Sequence, residues 1–144
     1  MRGFDAKKGW LHATAHTADL LAALAESRYF TKQDQGRVLE AIARRLATSN
    51  EIFTHGEQDR LASVAATIVF RPDFDSELWR SWVAETDRED QAVFKESPPS
   101  VQAEQQFEND SYFLCAAIAR ISLRSVTPAS KDTQDTLLAV LRQR

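Results

Sequence analysis

A single cysteine, four glycines and four prolines in 144 residues leave this sequence short of several common building materials. One thiol, Cys115, cannot close an intramolecular disulfide, which excludes the disulfide-stapled secreted scaffolds. Its neighbours Phe113, Leu114, Ala116 and Ala117 predict a buried thiol and a reducing, cytosolic compartment. With so little glycine and proline, and no Asn-Gly or Asp-Gly between alternating apolar runs, the punctuation of an all-β or α/β chain is missing. Long apolar runs are missing too. The most apolar stretch, 113–123, is too short for a membrane span and carries Arg120. The segment Met1-Arg2-Gly3-Phe4-Asp5 has no apolar signal-peptide core, so neither export nor a membrane partner is expected. Excess positive charge is also lacking. A formal net charge of -3 offers no long-range attraction to phosphate backbones, so nucleic acid is not expected as a partner. Finally, there is no Gly-x-Ser-x-Gly elbow, no glycine-rich phosphate loop and no repeated Cys-x-x-Cys pattern.

What is present is apolar residues, 43% of the chain, enough to build one core; residues 1–144 read as a single all-α domain. A first helix is predicted from about Gly9 to Ser27. Trp10, Leu11, Ala13, Leu20, Leu21, Leu24 and Ala25 cover more than one stripe of it, which predicts a central position. Thr31 and Asp34 form a capping-box pair before Val38, Leu39, Ile42 and Leu46, placing a second helix that ends near Ser49-Asn50. Thr54 and Glu57 repeat that signature ahead of Leu61, Val64, Ala65, Ile68 and Val69, and Arg71-Pro72 stops this third helix. Asp75 or Ser76 caps a short fourth helix with Leu78, Trp79, Trp82 and Val83 on one core-facing side. The charge-dense segment Glu85 to Ser100 reads as a loop or linker. A fifth helix over 101–122 and a sixth over 130–142 complete the count. Six helices joined by short connections predict an irregular antiparallel bundle or a short α-α superhelix. Arg44, Arg45, Arg120, Arg124, Arg142 and Arg144 read as solubilising surface charge.

One constellation could carry chemistry. His12, His16 and Asp19 are spaced four and three residues apart, which gathers them on one helix face within roughly 60° of arc. Three readings stand open. They form a solvated strip, they satisfy buried donors such as Arg60, or two imidazoles and a carboxylate chelate a divalent metal. Ala13-Thr14-Ala15 between the histidines holds no glutamate, so this is not the metalloprotease helix. At the start of the third helix, Glu57 and Arg60 lie one turn apart. Glu57 can close the capping box with Thr54, and Arg60 can orient a carboxylate or clamp an anion.

The stretch Arg2-Gly3-Phe4, then Gly9-Trp10-Leu11-His12-Ala13-Thr14-Ala15-His16-Thr17-Ala18-Asp19, resembles the most characteristic segment of a bacterial family catalogued as DUF2785, a domain of unknown function. The shared pattern is Arg-Gly, a short gap, then Gly-Trp-x-His-x-x-x-His-x-x-Asp. It continues at Glu57-x-x-Arg60-Leu61 and, more weakly, around Asn109 and Phe113-Leu114. The likeness is to the C-terminal portion of the family's longer members. It implies an all-helical, repeat-like architecture and marks Arg2, Trp10, His12, His16, Asp19, Glu57 and Arg60 for inspection, without supplying a reaction or a cofactor. The leading expectation is a non-enzymatic helical binding or scaffold protein whose partner is another protein or a small anionic ligand. The alternative is a hydrolase-like enzyme, with His12 or His16 as acid or base, Asp19 holding the imidazole and Arg60 clamping the anion, or a metal-binding protein using His12, His16 and Asp19.

Overall fold

The computed structural model describes residues 4–7, 9–10, 13–93 and 98–143. It is all-α, with helices α1 (Ala13–Ala25), α2 (Lys32–Ala47), α3 (Glu57–Val69), α4 (Ser76–Val93), α5 (Val101–Ser122) and α6 (Pro128–Leu141). Ahead of them lies a two-residue antiparallel ribbon, β1 (Phe4–Asp5) with β2 (Gly9–Trp10), in which Phe4 pairs with Trp10. The expected first helix therefore begins four residues later than its pattern suggested, because Gly9 and Trp10 are taken by the ribbon. No helix among the described residues is long and apolar enough to cross a membrane.

Neighbours in space are next-but-one in sequence. α3 packs chiefly on α5 and on α1, while α4 lies against α6 and α2. The odd helices thus form one layer and the even helices a second, with α5 and α6 the best-joined pair across the layers. This is the arrangement of a short α-α superhelix. The consecutive helices α1 and α2 scarcely touch.

The central helix is α3, not the expected α1, and side-chain size explains why. Ten of its 13 residues are buried, including Leu61, Ala62, Val64, Ala65, Ala66, Ile68 and Val69, so alanines on several sides let both flanking helices approach closely. α1 reciprocates with Ala15, Ala18 and Ala25. Its leucines point elsewhere: Leu20 is 61% and Leu24 48% exposed. One contiguous core unites these residues with Leu39, Ile42 and Leu46 of α2, Trp79 and Val83 of α4, Phe113, Leu114, Ala117 and Ile121 of α5, and Leu137 of α6. Trp79 sits edge-on to Phe74 and tilted on Trp82, which meets Phe113 edge-on, so both tryptophans serve packing.

Two further expectations are corrected. The charge-rich segment after Glu85 is helical through Val93 rather than a loop, since Arg88 pairs with Glu85 one turn away and the Thr86 hydroxyl donates to the Trp82 carbonyl. Cys115 is exposed, not buried. Phe113, Leu114, Ala117 and Ile121 form the buried face of α5, and a residue 100° around from Leu114 faces outward. The capping boxes are mixed. Thr31 and Asp34 exchange both bonds at α2, and Thr127 and Ser130 do so at α6, which starts two residues before its expected position.

Candidate functional site

The first turn of α3 is a structural hub built from four consecutive residues. Each helical residue turns 100°, so Glu57, Gln58, Asp59 and Arg60 face four directions and each finds a different partner. Glu57 is buried, and its carboxylate accepts the backbone N–H of His55 at 2.9 Å. The expected Thr54–Glu57 capping box does not form. The N-cap is Gly56, whose φ of 80° is open to glycine at little cost, and the Thr54 hydroxyl lies 2.9 Å from His55 Nδ1 instead. Gln58 donates to the Phe53 carbonyl at 2.9 Å. Asp59 takes a two-pronged bond from Arg120 on α5. Arg60 pairs with Asp19 on α1.

Fully buried Asn109 of α5 completes the hub. Its Oδ1 accepts from the Phe53 N–H at 2.8 Å and from Gln58 at 3.3 Å, and its Nδ2 donates to the Glu51 carbonyl at 3.1 Å. The extended loop before α3 thus has its backbone polar groups satisfied by side chains of α3 and α5, as buried backbone requires. The Arg120 guanidinium holds the Asp59 carboxyl below its ordinary range, and Asp59 in turn raises Arg120.

Of the residues marked for inspection, Arg2 and His12 lie outside the described residues, and Trp10 lies in β2. His16 is exposed on α1, beside exposed Asp19 and Leu20. The structure brings Asp19 to Arg60 and seats Glu57 against the loop. The guanidinium that would clamp an anion is therefore already neutralised by Asp19, and the carboxylate that would orient an imidazole is held by arginine. Among the described residues no three His, Cys, Asp or Glu side chains are grouped to hold a metal.

Three arginines that sequence patterning read as a helix stop or as solubilising charge bridge elements. Arg71, just past α3, donates to the carbonyls of Ala25, Ser27 (3.0 Å) and Phe30 (2.7 Å) and to the Asp73 carboxylate (2.8 Å). Arg124 donates to Thr67 at 3.3 Å and stacks over Phe70. Arg45 donates through Nε to Thr14 at 3.0 Å and lies over the Phe53 ring.

Arg45 and Thr14 stand at a cleft between α1 and α2. One groove, of about 290 Å3, lies between Thr14, Thr17, Ala18 and Leu21 on one side and Ala41, Ile42 and Arg45 on the other, with Leu61 of α3 also lining it. A second, of about 390 Å3, continues from Leu21 past Leu24 and Tyr29 to Val38. Neither contains His16, Asp19, Glu57 or Arg60.

The model of a family described as protein of unknown function, DUF2785, matches residues 1–119. The chain belongs to the DUF2785 family. The match takes in the Glu57–Arg60 hub, Asn109 and the α1–α2 cleft, and ends within α5. No curated protein and no solved structure matches the chain.

Proposed function

We propose that this DUF2785 member is a non-enzymatic helical binding module, one domain in extent, whose binding face is the α1–α2 cleft. The observation that carries this is the splayed α1–α2 pair. The two helices are sequence neighbours yet leave apolar walls apart, giving two grooves that share Leu21. Partly buried, largely apolar concavities of this kind are where small molecules and partner segments settle. Close packing of the α1 alanines holds α1 against α3, with the exposed Arg60–Asp19 pair beside it, and so fixes one wall of the cleft. The cytoplasm suits an exposed lone thiol at Cys115, which survives unmodified where thiols are kept reduced; a bacterial source accords with the residues that resemble the family.

The experiment is a two-dimensional amide NMR spectrum of the labelled chain, recorded with and without the small-molecule fraction of a cell extract. Shifts confined to α1, α2 and the loop joining them support the reading. Conversion of a compound in that extract at useful rates would overturn it, as would shifts clustered away from the cleft.

A further inference from the structure

Resting on that reading, we propose that the groove closed by Arg45 binds a small amphiphilic monocarboxylate, a straight-chain acid of medium length. Three observations converge. The walls are aliphatic, from Ala18, Leu21, Ala41, Ile42 and Leu61, so the body of the ligand must be apolar. Among the described residues the one charge lining the groove is Arg45, and it has no carboxylate partner there. Its protein contacts are the Nε–H bond to Thr14 and the stack on Phe53. Arg37, Arg44, Arg60, Arg71, Arg80, Arg88 and Arg120 all have acidic partners; among the described residues Arg28, Arg124 and Arg142 also lack one, but they line neither groove. Guanidinium carries five N–H donors, so the four on Nη1 and Nη2 remain for an acceptor from outside the chain. Thr14 and Phe53 fix the plane of the group, and a planar fork suits a carboxylate's two oxygens.

One cation calls for one negative charge, which favours a carboxylate over a phosphate dianion. The length follows from volume. At about 30 Å3 per water-sized unit, the 290 Å3 of this groove accommodates roughly ten heavy atoms, so octanoate fills it and a longer tail would have to run on past Leu21 into the second groove. The surroundings agree in sign. α2 carries Lys32, Arg37, Arg44 and Arg45 against Asp34 and Glu40, a positive helix in a chain of net charge -3.

Calorimetric titration with octanoate, octanol and inorganic phosphate tests the proposal on the wild-type chain, on Arg45→Gln and on Ala41→Leu. The leucine narrows the groove from an exposed helix position without touching the cation. Octanoate should bind the wild type at least about tenfold more tightly than octanol, and Arg45→Gln should erase that preference. Ala41→Leu should weaken both, and phosphate should not bind. Equal binding of octanoate and octanol by the wild type, or octanoate binding untouched by Ala41→Leu, would overturn the proposal. So would an absence of octanoate binding at millimolar concentration. If extract still shifts the α1–α2 amides in that last case, the ligand class is wrong and the binding module stands. Should Arg45→Gln unfold by circular dichroism, the octanol comparison and Ala41→Leu decide alone.

Discussion

Replacing Arg71 should destabilise this protein more than replacing Arg60, although only Arg60 belongs to the motif the family shares. The Arg71 side chain is 10% exposed. It gathers the Ala25, Ser27 and Phe30 carbonyls, where α1 ends and turns toward α2, and the Asp73 carboxylate, while its guanidinium stacks on Phe30. Charge-assisted bonds are worth about 1.5–3 kcal/mol each, so losing the part-buried set that Arg71 makes costs about 3–5 kcal/mol. Water can reach part of the freed loop, so the lower end, about 3 kcal/mol, is expected for Arg71→Ala. At roughly 3 °C per kcal/mol for a chain of this size, that lowers the melting midpoint by about 10 °C. Arg60 and Asp19 are 50% and 47% exposed, and an exposed pair is worth about 0–1 kcal/mol, so Arg60→Ala should move the midpoint only slightly. Urea unfolding followed by helical circular dichroism measures both. Arg71→Met keeps the apolar stem and isolates the polar contribution, and Arg71→Lys should recover only part because ammonium lacks the fork. The reasoning is refuted if Arg71→Ala stays within about 1 kcal/mol of the wild type, or if Arg60→Ala costs as much.

Asn109→Ala should cost about 2–3 kcal/mol in the same assay, because it strands the buried Phe53 N–H, leaves the Glu51 carbonyl without the Asn109 amide and removes one of the two acceptors of Gln58; a loss below about half a kcal/mol would show that the loop hydrates without penalty. Because Arg120 depresses the Asp59 carboxyl in the folded state, the pair stabilises above the unfolded value near about pH 4 and is lost as pH falls through the folded value. Asp59→Asn should therefore flatten the acid limb of the stability profile and converge with the wild type in strong acid, and parallel acid limbs would contradict this. Asp19 is already engaged by Arg60, so chelator should leave the melting midpoint unchanged. A drop restored by zinc would instead place a metal at His12, His16 and Asp19.

What could be read from sequence was local. The Thr31–Asp34 box, the apolar repeat of α2 and the end of α3 near Arg71 are written in residues a few positions apart, and the structure has them. Distance in the chain hid the rest. Arg71 looked like punctuation because the carbonyls it gathers lie 41 to 46 residues away, and Asp59 finds Arg120 across 61. The Glu57–Arg60 positions were visible as a motif, but their roles depend on which helices flank α3, and a central α3 was obscured by the leucines of α1. Cys115 was misread for a related reason: apolar neighbours in sequence are not neighbours around a helix. The dense charge after Glu85 suggested a loop because it lacks an apolar stripe, yet pairs such as Glu85–Arg88 support a helix without one.

The next-but-one packing of the helices also bears on how this chain can be divided. In a bundle of self-contained hairpins, cutting between α2 and α3 would release two units able to fold separately. Here the main partner of α1 is α3, so the cut would leave the first fragment with two helices that scarcely touch. The second fragment would keep α3 docked on α5 but with the face that meets Ala15, Ala18 and Ala25 laid bare. Such fragments should be poorly ordered alone and gain helix on mixing, reassembling as a pair in which α1 slots back beside α3.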